Sequence, residues 1–517
     1  MNLNTAVLTD EVCVYWDLPE DADQQDRYVI MCDGDVIGET TKTHYTVGNL
    51  APETTVTIYV QRLSGEQLKE EGCIEVTTAA VKRRIDVTKA PYGAVGDGKT
   101  MNRKALQMAL DACGPDEEVY FPAGVYLTGG LFVHSNTQIY LEEGALLQGS
   151  EDPKDYLPKI HSRFEGVERE CYQSLLTLGE VDHEGDYNCV NVLIYGHGKI
   201  LGGGKSLMEG TIDLEKELLK AELSALGDKM QEYEKAETIP GRARGRLIQM
   251  GNCQNVRLTG LEMGKGASWN IHMIYSDRIL TDHCKIVSRD IWNGDGWDPD
   301  SSTNCTIFAT EFYTGDDSVA VKSGKNPEGN VINRPTEHIR IFDCLCSFGH
   351  GLAIGSEMSG GISDVRIWDC DIEHSAYGVQ IKGTPKRGAY VRDVHVSNCI
   401  LPRILFVSVP YNDDGEGSKV PPVFANCSYR NIVLTSMFLQ EQEDVMVPCN
   451  PIELRGFEGE DYYIDNVSLS DITIKQPVVP ADGKLTEMWF DDGITGGYGA
   501  ILFKRSKHIR LDRIFIE

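Results

Sequence analysis

The sequence predicts an all-β chain in which a parallel β-helix follows a small N-terminal β-sandwich. Three observations carry that prediction. A short apolar template recurs along the second half with strand periodicity and no intervening helices. Residues 1–80 divide into short alternating strands separated by turns. The chain is 517 residues long, 41% hydrophobic and holds 52 Gly, which suits one large, turn-rich solenoid plus a small domain.

The first domain is read over residues 1–80. Its strands are "EVCVYWDL", "RYVIMCDGDVIGET", "THYTVGNL", "TVTIYVQRL" and "GCIEVTT". Strands at this spacing, joined by turns such as "CDGD", suit a small sandwich. Trp16, Leu50, Pro52 and the run "NLAPETTVTIYVQRL" resemble a fibronectin type III module. Val56 stands where that family commonly carries its corner tyrosine. The module is a candidate for packing on the rest of the chain or for a homo-oligomer contact.

The second domain is read over residues 81–517. "YGAVGDGKTMNRKALQMALDACG" gives a Gly-rich turn and then an amphipathic helix with Ala105, Ala109 and Leu110 on one side. Short strands follow. The repeating template then fits Ile339, Ile341, Cys344 and Cys346; Val365, Ile367, Cys370 and Ile372; and Val394, Val396 and Cys399. It fits again at Val467, Leu469, Ile472 and Ile474, and at Ile509, Leu511, Ile514 and Ile516. Successive starts at 339, 365 and 394 lie 26 and 29 residues apart, and later gaps are expected to hold inserted loops. Each copy is read as one coil stacking its apolar residues on the next. Cys344, Cys370 and Cys399 share one register and are expected to form an inward ladder rather than disulfides or metal ligands. One segment breaks the pattern. "TIDLEKELLKAELSALGDKMQEYEKAE", residues 211–237, is helical by composition and period, and too charged for a coil, so it is read as an insertion.

Composition narrows the partners. A formal net charge of −30 and the lack of a basic stripe argue against nucleic acid. An anionic substrate would need a local cluster of Lys or Arg. The N-terminal "MNLNTAVLTDEVCVYWDLPE" has neither a basic n-region nor a long apolar run, which predicts no signal peptide, no membrane span and a cytoplasmic protein. The 15 Cys, scattered without CxxC pairs, fit reduced thiols. Nothing calls for a metal or another cofactor.

The chemistry collects in four polar motifs. In "YTGDDSVAVKSG", Asp316 and Asp317 stand side by side. Two adjacent carboxylates facing one cleft push their pKa values apart, so one keeps a proton while the other ionises. A glycosidase needs that division of labour. Asp295, in "WNGDGWDPDSS" with Asn293, precedes Asp316 by 21 residues, one coil. His350, in "FGHGLAIGSEMSGG", follows after a loop, and Lys382, in "YGVQIKGT", comes 32 residues after His350. Residues one coil apart are neighbours in space, so the four motifs return to one face.

Here the sequence resembles glycoside hydrolase family 28, the polygalacturonases and their relatives, over roughly residues 84–517. "NGDG", "GDDSVAVKSG", "GHGLAIGSEMSGG" and "IKG" match its signature blocks in order, and the longer forms look more like the exo-acting bacterial branch. The resemblance implies a right-handed parallel β-helix and hydrolysis with inversion. It implies that Asp316 is the general acid, that Asp295 and Asp317 hold and deprotonate the attacking water, and that His350 helps set their protonation. Lys382 would bind a substrate carboxylate, and Asn293 is a further substrate-binding candidate. The family usually writes its last block Arg-Ile-Lys; here Gln380 stands in the arginine's place and loses its charge and fork. His272 in "ASWNIHMIY" and Arg246 in "RARGRLIQM" are further substrate-binding candidates, each with a purely structural alternative.

The expected substrate is an oligogalacturonide or pectin fragment cut from its end. Gln380 keeps open another α-linked uronide or a rhamnogalacturonan fragment. A β-helix pectate lyase would need calcium ligands that do not stand out, and a non-catalytic carbohydrate-binding β-helix would not need three aspartates.

Overall fold

The computed structural model describes residues 1–23, 25–233, 238–409, 415–457, 464–476 and 501–517. The chain divides into two compact units, Met1–Arg83 and Arg84–Glu517, so the boundary falls at Arg83 rather than at residue 80.

The first unit is a sandwich of two antiparallel sheets. Strands Asn4–Val7, Val12–Tyr15 and His44–Val47 form one; Asp35–Thr40, Asp26–Cys32, Thr55–Ser64 and Gln67–Thr77 form the other. Alternation decides the faces: Val56, Ile58 and Val60 point inward with Val12, Val14, Ile30 and Trp16. The Trp16 ring meets Tyr28 edge-on, centroids 4.9 Å apart.

The second unit is a right-handed parallel β-helix. Its strands stack coil on coil into three long sheets of seven, eleven and thirteen strands among the described residues. The apolar template sits where expected. Ile339 pairs with Val365 and Val365 with Val394, while Ile341, Ile367 and Val396 form a second row, all buried. Cys344, Cys370 and Cys399 lie inside the core, and all 15 cysteines are free thiols.

One coil escaped the sequence pattern. Val423–Leu434 pairs with Tyr390–Leu401 on one side and Ile464–Ile474 on the other, so the gap between Val394 and Val467 holds a complete coil rather than an enlarged loop. Its inward residues are Cys427, Tyr429, Ile432 and Leu434, and the aromatic at the second position hid the template. The last copy is present but ends the stack, which leaves Leu511 46% and Ile516 66% exposed.

Coil corners carry their own ladder. Asn136, Asn191 and Asn255 all have positive φ, which asparagine tolerates better than most residues. Their side-chain amides hydrogen-bond from coil to coil at 3.0 and 2.7 Å. An aromatic ladder runs beside it: Phe308, Phe342 and Trp368 stack at 4.7 and 4.4 Å.

Three excursions leave the solenoid and matter below. The helix Arg103–Ala112 buries Leu106, Ala109 and Leu110 in the core, with Ala105 only partly covered. A hairpin, Ile160–Phe164 with Val167–Cys171, projects between coils. The charged insertion starts earlier than predicted, as helices Gly204–Leu218 and Lys220–Leu226, a 3-10 turn at Gly227–Glu232 and a short helix Thr238–Gly241; residues 234–237 of the predicted segment lie outside the described residues. The extra length is Gly204 to Gly210, where Leu207 and Met208 supply an apolar side. No helix among the described residues is long and apolar enough to cross a membrane.

The core rows set a stability prediction. Ile367→Ala removes a fully enclosed side chain from mid-stack and is expected to cost about 2–5 kcal/mol. Leu511→Ala, on the exposed last coil, is expected to cost well under half as much. Denaturant midpoints of the two variants check this.

Candidate active site

The site lies on the outer face of the eleven-stranded sheet, over the consecutive strands Trp297–Asp300, Asp317–Val321, Gly351–Ile354 and Val379–Gly383. Alternation again selects the residues. Val319 and Val321 go into the core, so Ser318, Ala320 and Lys322 face out. Val379 and Ile381 go in, and Gln380 and Lys382 face out.

The glycines of the motifs let neighbouring loops touch. A Cβ on Gly315 would lie 2.6–2.7 Å from the carbonyl oxygens of Ile291, Ser288 and Arg289. That close approach brings Asp316 beside the loop that carries Asn293 and Asp295. In "GHG", Gly349 and Gly351 have φ of +114° and +94°, which L side chains rarely adopt. The turn between them lets the His350 amide donate to the Asp316 carbonyl at 3.0 Å.

Asp295, Asp316, Asp317 and Lys382 line one cleft with an interior of about 140 Å³, and Asn293 joins them, held by Arg244, which donates to its Oδ1 at 2.6 Å. His350 stands behind the aspartates. Its Nδ1 is 2.8 Å from Asp316 and 3.5 Å from Asp317. Lys382 donates to Asp317 at 2.9 Å. Lys322 donates to Asp295 at 3.0 Å, lies 3.3 Å from Asp298 and sits 3.6 Å above the Trp269 ring.

These contacts sort the protons. Burial raises Asp295 to about 7, with Asp316 and Asp317 adding to the rise and Lys322 opposing it. Burial works the same way on Asp316, but the His350 imidazolium overrides it and holds Asp316 below the usual carboxylate range. Burial would lower His350, and Asp316, Asp317 and Glu441 together push it well up instead. Asp316 and His350 thus share one proton as a pair, and Asp295 is the carboxyl poised near neutrality. The 2.8 Å contact lets His350 and Asp316 pass that proton between them. Asp316, Asp317 and His350 also offer ligand atoms within 4.8 Å of one another. The short His350–Asp316 contact also suits the trio to passing a proton.

Three substrate-binding expectations fall outside the cleft. His272 is buried beneath the hairpin against Asp300, and burial pushes it down to about 3, so it is a neutral structural histidine. Arg246 donates to the carbonyls of Arg163 and Arg244 with Phe164 and Trp269 against its guanidinium, and so fastens the hairpin. Gln380 is buried between Ala353 and Leu405 of the adjacent coils and does not line the cleft.

Sequence reasoning passed over the residues that do. Lys322 and Glu357 stood inside the quoted motifs; strand alternation marks Lys322 as outward. Lys325 and Arg387 add two more cations, and Glu165, Thr238 and Arg242 come from the hairpin and the insertion, where no repeat predicts a position.

Comparisons with known proteins place the chain in a family. A "Probable polygalacturonase" of Vitis vinifera is 30% identical over 379 residues, covering 70% of this chain and 70% of that protein. The chain belongs to glycosyl hydrolases family 28. The family model itself matches residues 220–477, which span all the motifs above. An "Exo-poly-alpha-D-galacturonosidase" of Dickeya chrysanthemi is 24% identical over 490 residues, 89% of this chain and 79% of that one. The structure of a Yersinia enterocolitica family 28 exopolygalacturonase superposes with a TM-score of 0.79 at 21% identity, covering 99% of this chain and 96% of that one. As a family 28 member the protein is a glycoside hydrolase, and its cleft is read in that light.

Lys322 provides the test of the electrostatics. It holds Asp295 down against burial, so Lys322→Met is expected to raise the Asp295 pKa further. If the reaction needs the Asp295 carboxylate, the acid limb of kcat/KM then moves to higher pH, with the largest loss below neutrality. A pH–rate profile of the two proteins, alongside their melting temperatures, reads this directly.

Proposed function

We propose that this protein releases galacturonic acid, one residue at a time, from the non-reducing end of oligogalacturonides by inverting hydrolysis. The observation that carries the exo reading is the closed end of the cleft. Outward residues of the coils before the site are covered by the hairpin. Ser162 donates to Gln249 at 2.6 Å, Arg163 pairs with Asp300 at 3.1 Å, and Phe164 stacks on Trp269 at 4.6 Å. Arg242 reaches Glu165 across the remaining gap, and both line the cleft. A polymer cannot run through such a wall; a chain end docks against it. The names of the Dickeya and Yersinia relatives support the same reading.

The charge supports the substrate. In a chain of net charge −30, Arg242, Lys322, Lys325, Lys382 and Arg387 converge on one small cleft. That local basic cluster is what capture of a uronic acid requires against the overall field. Lys325, Lys382 and Arg387 all line the cleft and are assigned together to the terminal carboxylate. Gln380, whose lost charge kept another sugar open, is not among the described residues that line the cleft.

The mechanism follows from the pairings. The terminal sugar lies at the closed end, near Asp295, and the leaving chain lies toward His350. Asp316 delivers the proton of the Asp316–His350 pair to the glycosidic oxygen as the bond from that oxygen to C1 breaks. Water attacks C1 from the opposite face, and its proton passes to Asp295 or Asp317. Asp295, near 7, is matched to that task at neutral pH. Solvent then removes the proton from the base and restores it to the pair.

For the first unit we propose a fibronectin type III-like module, on the three-plus-four strand order and the buried Trp16.

Product analysis on galacturonides of increasing length tests the proposal. Monomer is expected as the sole early product, with the anomer inverted and little loss of polymer viscosity. Early release of mixed oligomers, or of unsaturated sugars, would overturn it. Asp316→Asn is expected to lower turnover of such substrates by roughly 10²–10⁴-fold.

A further inference from the structure

We propose that Glu441 is a positioning residue of the acid side, holding His350 so that the Asp316–His350 pair keeps its proton. The inference rests on the hydrolase reading above and adds a residue that no signature motif contains. Glu441 lies in the turn between the antiparallel strands Met437–Gln440 and Val445–Pro448, a hairpin extruded by a later coil. The hairpin is anchored at its base. Phe438 and Leu439 are buried, and the Leu439 amide donates to the Ser375 carbonyl at 3.0 Å. From there the turn reaches back over the site. Glu441 Oε2 comes 3.3 Å from His350 Nε2, the nitrogen that faces away from Asp316. Asp444, three residues on, meets Arg289 at 2.9 Å, on the loop that carries Asn293 and Asp295.

His350 is therefore held at both ring nitrogens by carboxylates, Asp316 on Nδ1 and Glu441 on Nε2. An imidazole can donate at both nitrogens only when protonated. The groups that face it from each packed element are Asp316 and Asp317 on one side, Glu441 on the other, and Tyr377, whose ring meets the imidazole edge-on at 5.1 Å. Behind these lie Lys382, engaged with Asp317, and Arg403, 5.4 Å from the Tyr377 ring. Anions dominate the near contacts, and Glu441 is the one among them that plays no part in bond making. The remaining Glu441 oxygen, Oε1, is buried without a hydrogen-bond partner among the described residues, so the contact to His350 restrains this side chain there.

The test compares wild type with Glu441→Gln and Glu441→Asp. The amide keeps the shape and removes the charge, so His350 loses its proton at lower pH and the alkaline limb of kcat/KM moves down. On a digalacturonide, rate one pH unit above the wild-type limb is expected to fall about tenfold. On a nitrophenyl galacturonide, whose leaving group needs no proton, the fall is expected to stay within about threefold. The Asp variant keeps the charge and should recover at least half of the limb shift. The His350 imidazole, followed by NMR titration, should show the same order: wild type highest, Asp between, Gln lowest. The assignment is overturned if the Gln profile superimposes on wild type, if both substrates lose rate equally, or if Asp behaves as Gln. If wild type hydrolyses neither substrate, the functional reading fails, while the NMR titration still decides whether Glu441 holds the His350 proton.

Discussion

Every functional contact in this molecule depends on registration between coils. Adjacent strands of a sheet lie about 4.8 Å apart and stay in phase because inward apolar residues stack row on row. The Ile339–Val365–Val394 row and the cysteine ladder do this under the site. Once the inner rows are fixed, the outer positions are fixed too, because side chains alternate. Lys322 and Lys382 face the cleft for no reason other than that Val321 and Ile381 face the core. The glycines complete the arrangement: where Gly315 meets the carbonyls of the neighbouring loop, a larger residue would push Asp316 away from Asp295.

Stacking like residues at coil spacing has an electrostatic consequence. Several carboxylates placed on successive coils repel, and the fold answers with cations between them. Lys322 faces Asp295, Asp298 and Glu357, and one ammonium cannot neutralise three buried acids. Asp295, Asp298 and Glu357 are all raised as a result, burial leading in each case. Asp316 escapes because His350 stands against it. The contrast between Asp295 and Asp316 is thus a matter of which cation each one meets.

The parts legible in the sequence are those the repeat controls. The template found most of the inward residues after Ile339, and the four motifs found the aspartates, His350 and Lys382. The coil at Cys427 was hidden because Tyr429 fills the place of an aliphatic residue, which a wide core accommodates. For Arg246 and His272, where the sequence left a substrate-binding and a structural reading open, the structural one holds. A polar residue on an outward register looks like a cleft residue unless something covers it, and the covering hairpin comes from a hundred residues upstream by the chain. Gln380 was read as a subsite residue from its place in the last motif; on its strand it is flanked by Ala353 and Leu405 and buried.

The excursions shape access to a site built on a regular scaffold. The solenoid alone offers an open face, and an open face suits a polymer passing across it. The hairpin at Ile160–Cys171 closes one end with Phe164 on Trp269 and Arg163 on Asp300, and the insertion brings Arg242 to the same wall. At the other end the turn bearing Glu441 rests on His350. None of these elements belongs to the repeat, so none disturbs core registration, and each can alter access to the cleft without moving an aspartate. Specificity in this architecture resides in segments the coils merely carry, while the chemistry resides in positions the coils dictate.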